Sequence, residues 1–462
     1  MEASNQTSEE QHRKPSASDM KKFVIFSALG VLLFLVPIPI NGSWNIPITF
    51  LIDLLKEAVS DWILYPVMII VIITAIMGVV LYVFKPKIAD KYPILKEIFL
   101  TTPVYIISNI IGAIVIVMYT FNIGPEMIIG PDTGELMIGL ATDLVSILAI
   151  ISFTMPLLTY FGIMEFIGIL ISDYVRPLFK LPGRAAINII VAWVGAPTAS
   201  VLFTEQMYET GQYTQRETAN VMMNFCVISV PFMYLMTDIM GIPQYYVLFY
   251  LLVTIAAVII AFILSRVWPF TKFPDTYSEN VDSIAATETV PAGFTKMEYA
   301  KTLAGNKASK ATLKDCLNDG LRMFMSVNVS LAPIIIAWGT IALIIVEYTS
   351  IFNVLSYPFG FLLDILGVEA AYEVAPATIV GFADMFIPIL LMSTVENVAT
   401  KFIVGGASLL QIIYLTETGA IMIKSDLDIG FFDILIVFLE RTLLALPIMA
   451  ALTYFVQLIG LL

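Results

Sequence analysis

The chain has 462 residues, 59% of them hydrophobic and 13% charged, with a net charge of −13, one His and two Cys. Such an apolar composition excludes an ordinary soluble globular protein. The acidic balance, without a basic patch, argues against a nucleic-acid partner. One His in a polar tail and two distant Cys argue against a zinc cluster, a haem ligand pair, His-based acid–base catalysis or a disulfide framework.

Apolar runs recur along the chain, each long enough to cross a hydrocarbon core about 30 Å thick. The expected fold is an all-α polytopic membrane protein with about nine transmembrane helices and two re-entrant helical hairpins. Residues 1–22 form a polar tail with Arg13, Lys14, Lys21 and Lys22 and no cleavable signal pattern. Spans are predicted at 23–40, 62–84 and 98–120, which make residues 23–140 an N-terminal scaffold. Lys85, Lys87, Lys91 and Lys96 lie between the second and third of these, whereas 121–143 carries only acids, Glu126, Asp132, Glu135 and Asp143. The positive-inside rule puts the N-terminus and the 85–97 loop in the cytoplasm and the acidic loop outside. A fourth span, 141–171, then descends to Arg176, Lys180 and Arg184.

The next apolar stretch, 184–206, carries VGAPTAS at its middle. If it crossed the membrane, the spans at 217–240 and 244–268 would leave 269–320 outside. That polar segment and its flanks hold Arg266, Lys272, Lys296, Lys301, Lys307, Lys310, Lys314 and Arg322, a cytoplasmic signature. Residues 184–206 are therefore expected to enter and leave on one side, with the tip at Gly195–Ser200. After the cytoplasmic loop 269–320 come a span at 322–348, a second interrupted stretch at 371–392 with VGFADMF at 380–386, and spans at 401–424 and 431–459.

The two interrupted stretches repeat. IVAWVGAPTAS matches PATIVGFADMF at an offset of 186. The segment that begins at Glu217 lies over the one that begins at Glu396, which places Ser229 on Ser408 and Thr237-Asp238 on Thr416-Glu417. Residues 141–268 and 321–462 are thus two repeats; Lys401 and Lys424 do not fix the side of the second hairpin, but the repetition and the span that precedes it open it from the outside, which gives the halves inverted topology. Inverted repeats with broken helices near the bilayer midplane are the plan of many secondary transporters. A hairpin tip ends two half-helices and leaves N–H and C=O groups without intrahelical partners. Facing a cavity, those groups become ligands for anionic groups or cations.

The candidate substrate-binding residues are Gly195, Thr198, Ser200, Asn224, Ser229, Gly381, Asp384, Glu396, Asn397, Ser408 and Glu417. Each has a structural alternative. Thr198 and Ser200 could bond back to their own helix, Glu396 could cap a helix at the interface, and Gly405-Gly406 could be a packing face or an unwound turn. Asp384, an acid within an apolar stretch, is expected to face a cavity or a partner. Thr198, Ser200 and Ser229 are candidate Na⁺ ligands. Glu440-Arg441 lies within the last span. A salt bridge to another span is the first expectation, and a clamp by Arg441 on a carboxylate or phosphate is the alternative.

The paired VGAPTAS and VGFADMF hairpins, each followed by a span with a polar interruption, resemble the nucleoside recognition or Gate domain of concentrative nucleoside transporters, ferrous-iron transporter B and the spore maturation proteins. The whole chain is similar to the YjiH family of bacterial inner-membrane proteins. The resemblance implies transport of a nucleoside or similar small polar metabolite. It places Pro197-Thr198-Ala199 where the nucleoside transporters carry a base-binding Gln-Thr-Glu. It sets Glu396-Asn397, reversed, on their ribose-binding Asn-Glu, and a Na⁺ site between Gly195–Ser200 and Asn224–Ser229. The expected localisation is the bacterial cytoplasmic membrane. The expected partners are a small-molecule solute, lipid and either a second copy or a second Gate-domain protein. Coupling to Na⁺ or H⁺ is expected, with no cofactor. The alternative is a non-transport membrane component of a sporulation or metal-uptake type complex; an enzyme has no residues to recommend it.

Overall fold

The computed structural model describes residues 14–40, 43–84, 103–194, 197–226, 229–278, 290, 293–383, 385–414, 418–419, 422–423, 425 and 427–462. In chain order its helices are α1 (Ala17–Leu35), α2 (Pro47–Val59), α3 (Leu64–Phe84), α4 (Pro103–Thr120), α5 (Gly134–Thr154), α6 (Ile163–Phe179), α7 (Ala185–Val194), α8 (Pro197–Glu209), α9 (Gln215–Phe225), α10 (Val230–Ile239) and α11 (Tyr246–Leu264). They continue with α12 (Lys296–Lys310), α13 (Leu313–Ile334), α14 (Thr340–Tyr348), α15 (Ile351–Ile365), α16 (Pro376–Val380), α17 (Phe386–Ser393), α18 (Gly406–Gln411) and α19 (Phe431–Leu458). Among the described residues the one extended element is a hairpin of two three-residue strands, β1 (Ile38–Ile40) and β2 (Ser43–Asn45), antiparallel with Pro39 opposite Trp44. The protein is an all-α polytopic membrane protein. Four described helical runs are long and apolar enough to cross a membrane unaided: Leu64–Phe84, Glu126–Thr159, Pro243–Leu264 and Phe431–Leu458.

The chain divides into two compact units. One comprises residues 38–156 and 313–355. Its core joins Val67 and Val71 of α3, Val115 and Ile116 of α4, Ile138, Ala141 and Val145 of α5, and Ala332 and Ile336. α13 carries Pro333 inside it and runs through a π-helical turn, Ile335–Gly339, into α14. Proline removes one ladder donor and crowds the preceding turn, and the wider turn absorbs the mismatch. Glycines let the backbones close here. A Cβ on Gly112 would strike the carbonyl oxygen of Pro333, and one on Gly339 would strike Met137. Trp338 Nε1 donates to Ser108 Oγ at 2.7 Å, which satisfies the indole in an apolar setting.

The other unit comprises residues 1–37, 157–312 and 356–462. It differs from the sequence expectation in two places. The predicted span 141–171 is two helices: the apolar run stops at Thr159, and α6 starts afresh after Gly162, whose φ is +94°. A side chain there would also strike the backbone of Ala304, so only glycine fits. The segment 269–320, read as a solvated loop, contains α12 packed on α1 and α6 through Ala304, Ala308 and Phe23. Its buried face is made of Ala, Gly and Thr, too weakly hydrophobic to register as an apolar stripe. Ion pairs Lys296–Asp173 (2.6 Å) and Lys307–Glu165 (3.4 Å) fasten it to α6.

The C-terminal end of α6 is capped from outside its own helix. Arg266 donates to the carbonyls of Pro177 (2.8 Å) and Leu178 (2.6 Å), and Asn220 Nδ2 donates to that of Phe179 (2.9 Å). These are the orphan acceptors that any helix end leaves.

Candidate functional site

The first interrupted stretch folds as a helical hairpin. α7 and α8 have 10 and 13 residues, or roughly 15 and 20 Å at 1.5 Å per residue, each short of a full crossing. Asn188 Nδ2 donates to Thr204 Oγ1 at 3.2 Å. The two residues lie nearly equidistant from residues 195–196, so the second arm returns along the first. Thr204 Oγ1 in turn donates to the carbonyl of Ser200 at 2.6 Å. The second stretch forms α16, a turn at 381–383 and α17, with arms of 5 and 8 residues.

Each hairpin is followed by a broken helix. α9 ends at Phe225, and α10 begins after Ser229, an N-cap in extended conformation, with Pro231 in its first turn. Proline is tolerated there because its missing N–H would be orphaned anyway. In the second repeat a single helical turn, Val398–Thr400, runs through a π-helical segment, Lys401–Gly405, into α18. α18 stops at Ile412, whose φ of +51° is unusual for a β-branched residue. The break is thus at Ile412 and not at Gly405-Gly406. Those glycines are packed: a Cβ on Gly405 would lie 2.5 Å from Met240 Sδ, and one on Gly406 would strike Met449.

Arg441 of α19 joins the two breaks. It is completely buried. Its Nε donates to the carbonyl of Leu410 at 2.6 Å, at the end of α18. Its Nη1 donates to Asn224 Oδ1 at 2.9 Å, at the end of α9. Asn224 Nδ2 passes on to Asn220 Oδ1 at 2.7 Å. The expected salt bridge from Arg441 to another span is therefore replaced, among the described residues, by hydrogen bonds to a neutral amide and a carbonyl. A carbonyl at a helix C-terminus carries partial negative charge, which suits a cation. Lys401 makes a second tie of this kind: buried, it donates to the carbonyl of Met240 at 2.5 Å, at the end of α10.

Gln411 attaches the second hairpin to the same place. Its Nε2 donates to the carbonyl of Thr378 in α16 (2.7 Å) and to Thr442 Oγ1 in α19 (2.9 Å). Gly381 is needed beside it, because a Cβ there would strike Gln411 Oε1.

The predicted site residues are distributed as follows. Asn224 sits in the network. Ser200 and Ser229 are buried, and neither hydroxyl has a hydrogen-bond partner among the described residues. Ser408 is buried and bonds back to the Gly405 carbonyl at 2.7 Å. Glu396 is exposed, while Asn397 N-caps the turn Val398–Thr400 by accepting from Thr400 N at 3.0 Å and donates to Glu369. Gly195, Asp384 and Glu417 lie outside the described residues, as do the side chain of Thr198 and Thr416. Asn220, Gln411 and Thr442 are the members that sequence reading missed. Asn220 stands one turn before Asn224, and Gln411 is a lone amide in an apolar run; both signals are visible in retrospect.

Residues 141–246 match the Gate family, described as nucleoside recognition. The chain is 35% identical over 441 residues to an uncharacterized protein of Alkalihalophilus pseudofirmus, covering 95% of each chain. Two solved structures of CNTnw are similar at 14% identity. One is inward-facing and substrate-bound, with a TM-score of 0.45 over 89% of this chain and 99% of that one. The other is a variant in an intermediate state, with a TM-score of 0.47 over 95% of this chain and 100% of that one. With its hairpin and broken helix inside the matched segment, the chain belongs, with its Alkalihalophilus relative, to a family of Gate-domain membrane proteins.

Proposed function

We propose that the protein is a secondary active transporter for a nucleoside or similarly small polar metabolite, coupled to Na⁺ or H⁺ in a bacterial cytoplasmic membrane. The observation that carries this reading is the pairing of two short hairpins with two broken helices whose ends meet on Arg441 and Gln411. Irregular backbone of this kind persists at membrane depth only where it is buried in protein or lines a cavity. In this arrangement α19 is the common strut. The buried Ser200 and Ser229 hydroxyls suit a coupling cation, being hard oxygen donors without other partners among the described residues. Asp384, Glu396 and Glu417 are the carboxylates proposed to take a proton or contact solute. Purified protein in proteoliposomes is the test: solute should accumulate only with an imposed Na⁺ or H⁺ gradient, and Ser229→Ala should raise the Na⁺ concentration required. Gradient-independent behaviour for every nucleoside, dipeptide and carboxylate tried would instead favour an assembly component.

A further inference from the structure

Arg441 is the largest fully buried side chain among the described residues. Two of its three nitrogens are engaged, Nε by the Leu410 carbonyl and Nη1 by Asn224, and both acceptors are neutral. Its Nη2 is buried and has no hydrogen-bond partner among the described residues, nor does any described carboxylate form an ion pair with it. A guanidinium held this way keeps a full charge in the core with no counter-charge among the described residues, an arrangement that is costly unless something supplies one. Water or a neutral solute could satisfy an N–H but not the charge. A purely structural strut would need no open arm.

The planar N–H donors of a guanidinium match a carboxylate or phosphate. We propose that Arg441 is the anion-binding group of the translocation site, so that the transported solute carries a carboxylate or a phosphate. The proposal rests on the transporter reading and narrows its substrate class.

The test uses full-length protein in nanodiscs and matched pairs of probes: uridine and uridine 5′-monophosphate, succinamide and succinate, with inorganic phosphate alone. In thermal unfolding the acidic member of at least one pair should stabilise the wild type and its neutral partner should not, because only a bound ligand raises the midpoint. Arg441→Gln should lose the shift. Arg441→Lys keeps the charge but not the planar fork, and should weaken apparent affinity by roughly tenfold or more. If Arg441→Gln does not fold, the Lys variant decides the matter. The inference is overturned if no acid is distinguished from its neutral partner, or if the Lys variant binds as the wild type does. Uptake separates the two levels. Accumulation of neutral solutes alone leaves a transporter without an anion site. Acid binding that never leads to gradient-driven uptake leaves the anion site and removes the transporter.

Discussion

Gly112 and Gly139 both lie in apolar helices of one unit, yet their surroundings are opposite. A Cβ on Gly112 would strike the backbone carbonyl of Pro333, which cannot rotate away, while one on Gly139 would meet nothing within 4 Å. Overpacking a closed contact typically costs about 1–3 kcal/mol. Gly112→Ala should therefore lower the thermal unfolding midpoint in detergent, and Gly139→Ala should leave it unchanged or raise it slightly through better helix propensity. Equal midpoints for the two variants would show that α4 and α13 do not approach as described. Sequence reading has no access to this distinction, since both glycines stand in apolar runs. The same blindness affected Gln411. Its chemistry was visible as a lone amide, but its importance depends on two hydrogen-bond partners, Thr378 of α16 and Thr442 of α19, and on Gly381 beside it. Arg441 was legible because a charge in an apolar run must be accounted for. Its partners were not, because a backbone carbonyl leaves no mark in a sequence.

At the scale of elements, the hairpins were legible because Gly, Pro and hydroxyl residues at the centre of an apolar run contradict a simple span. Charge in the flanking loops then chose between the alternatives for the first hairpin. α12 was not legible. Its N-terminus carries the capping box Thr295–Glu298 (Glu298 N donates to Thr295 Oγ1 at 3.3 Å, and Thr295 N to Glu298 Oε2 at 3.0 Å), yet the apolar stripe that should follow is replaced by Ala and Gly. The backbone N–H and the hydroxyl of Thr295 hold the Glu298 carboxyl below the usual carboxylate range. A depressed pKa in the folded state means that the contribution is complete above the unfolded value and is lost as pH falls through the folded one. Protection of residues 296–310 from limited proteolysis should hence be constant near neutrality and fall at acid pH. Glu298→Gln should remove that acid step, because its side chain does not titrate. An unchanged acid step in the Gln variant would show that the Thr295–Glu298 cap does not set it.

For the whole molecule, the Lys and Arg distribution predicts that residues 205–216 and 269–320 face the cytoplasm and 121–140 the outside. In a Cys-free background, Thr210→Cys should stay unlabelled by an impermeant thiol reagent in intact cells and react after permeabilisation. Met127→Cys should react in both. Labelling at 210 in intact cells would turn the first hairpin into a crossing and dissolve the inverted repeat. Neither unit is continuous in sequence, and this is where chain order misled: residues 141–171 read as one span although the boundary between units falls at Pro156.

That discontinuity has a consequence for synthesis. α1 is among the earliest helices made, but the surface it packs on, α12 with α6, includes Ala304 and Ala308. At ribosomal speeds of about 5–20 residues per second, roughly 15–60 s separate the appearance of Leu35 from that of Lys310. α6 emerges within that interval and brings Phe166 onto Phe23, and α12 completes the contact with Ala304 and Ala308. The side chains of α1 tolerate the wait, since the polar group it buries at the end, Ser27, can bond locally until the Phe161 carbonyl arrives (3.4 Å in the finished fold). A nascent chain stalled before Lys296 would leave α1 with α6 but without α12. The packing of the N-terminal helix is therefore completed only when the chain has grown past α12.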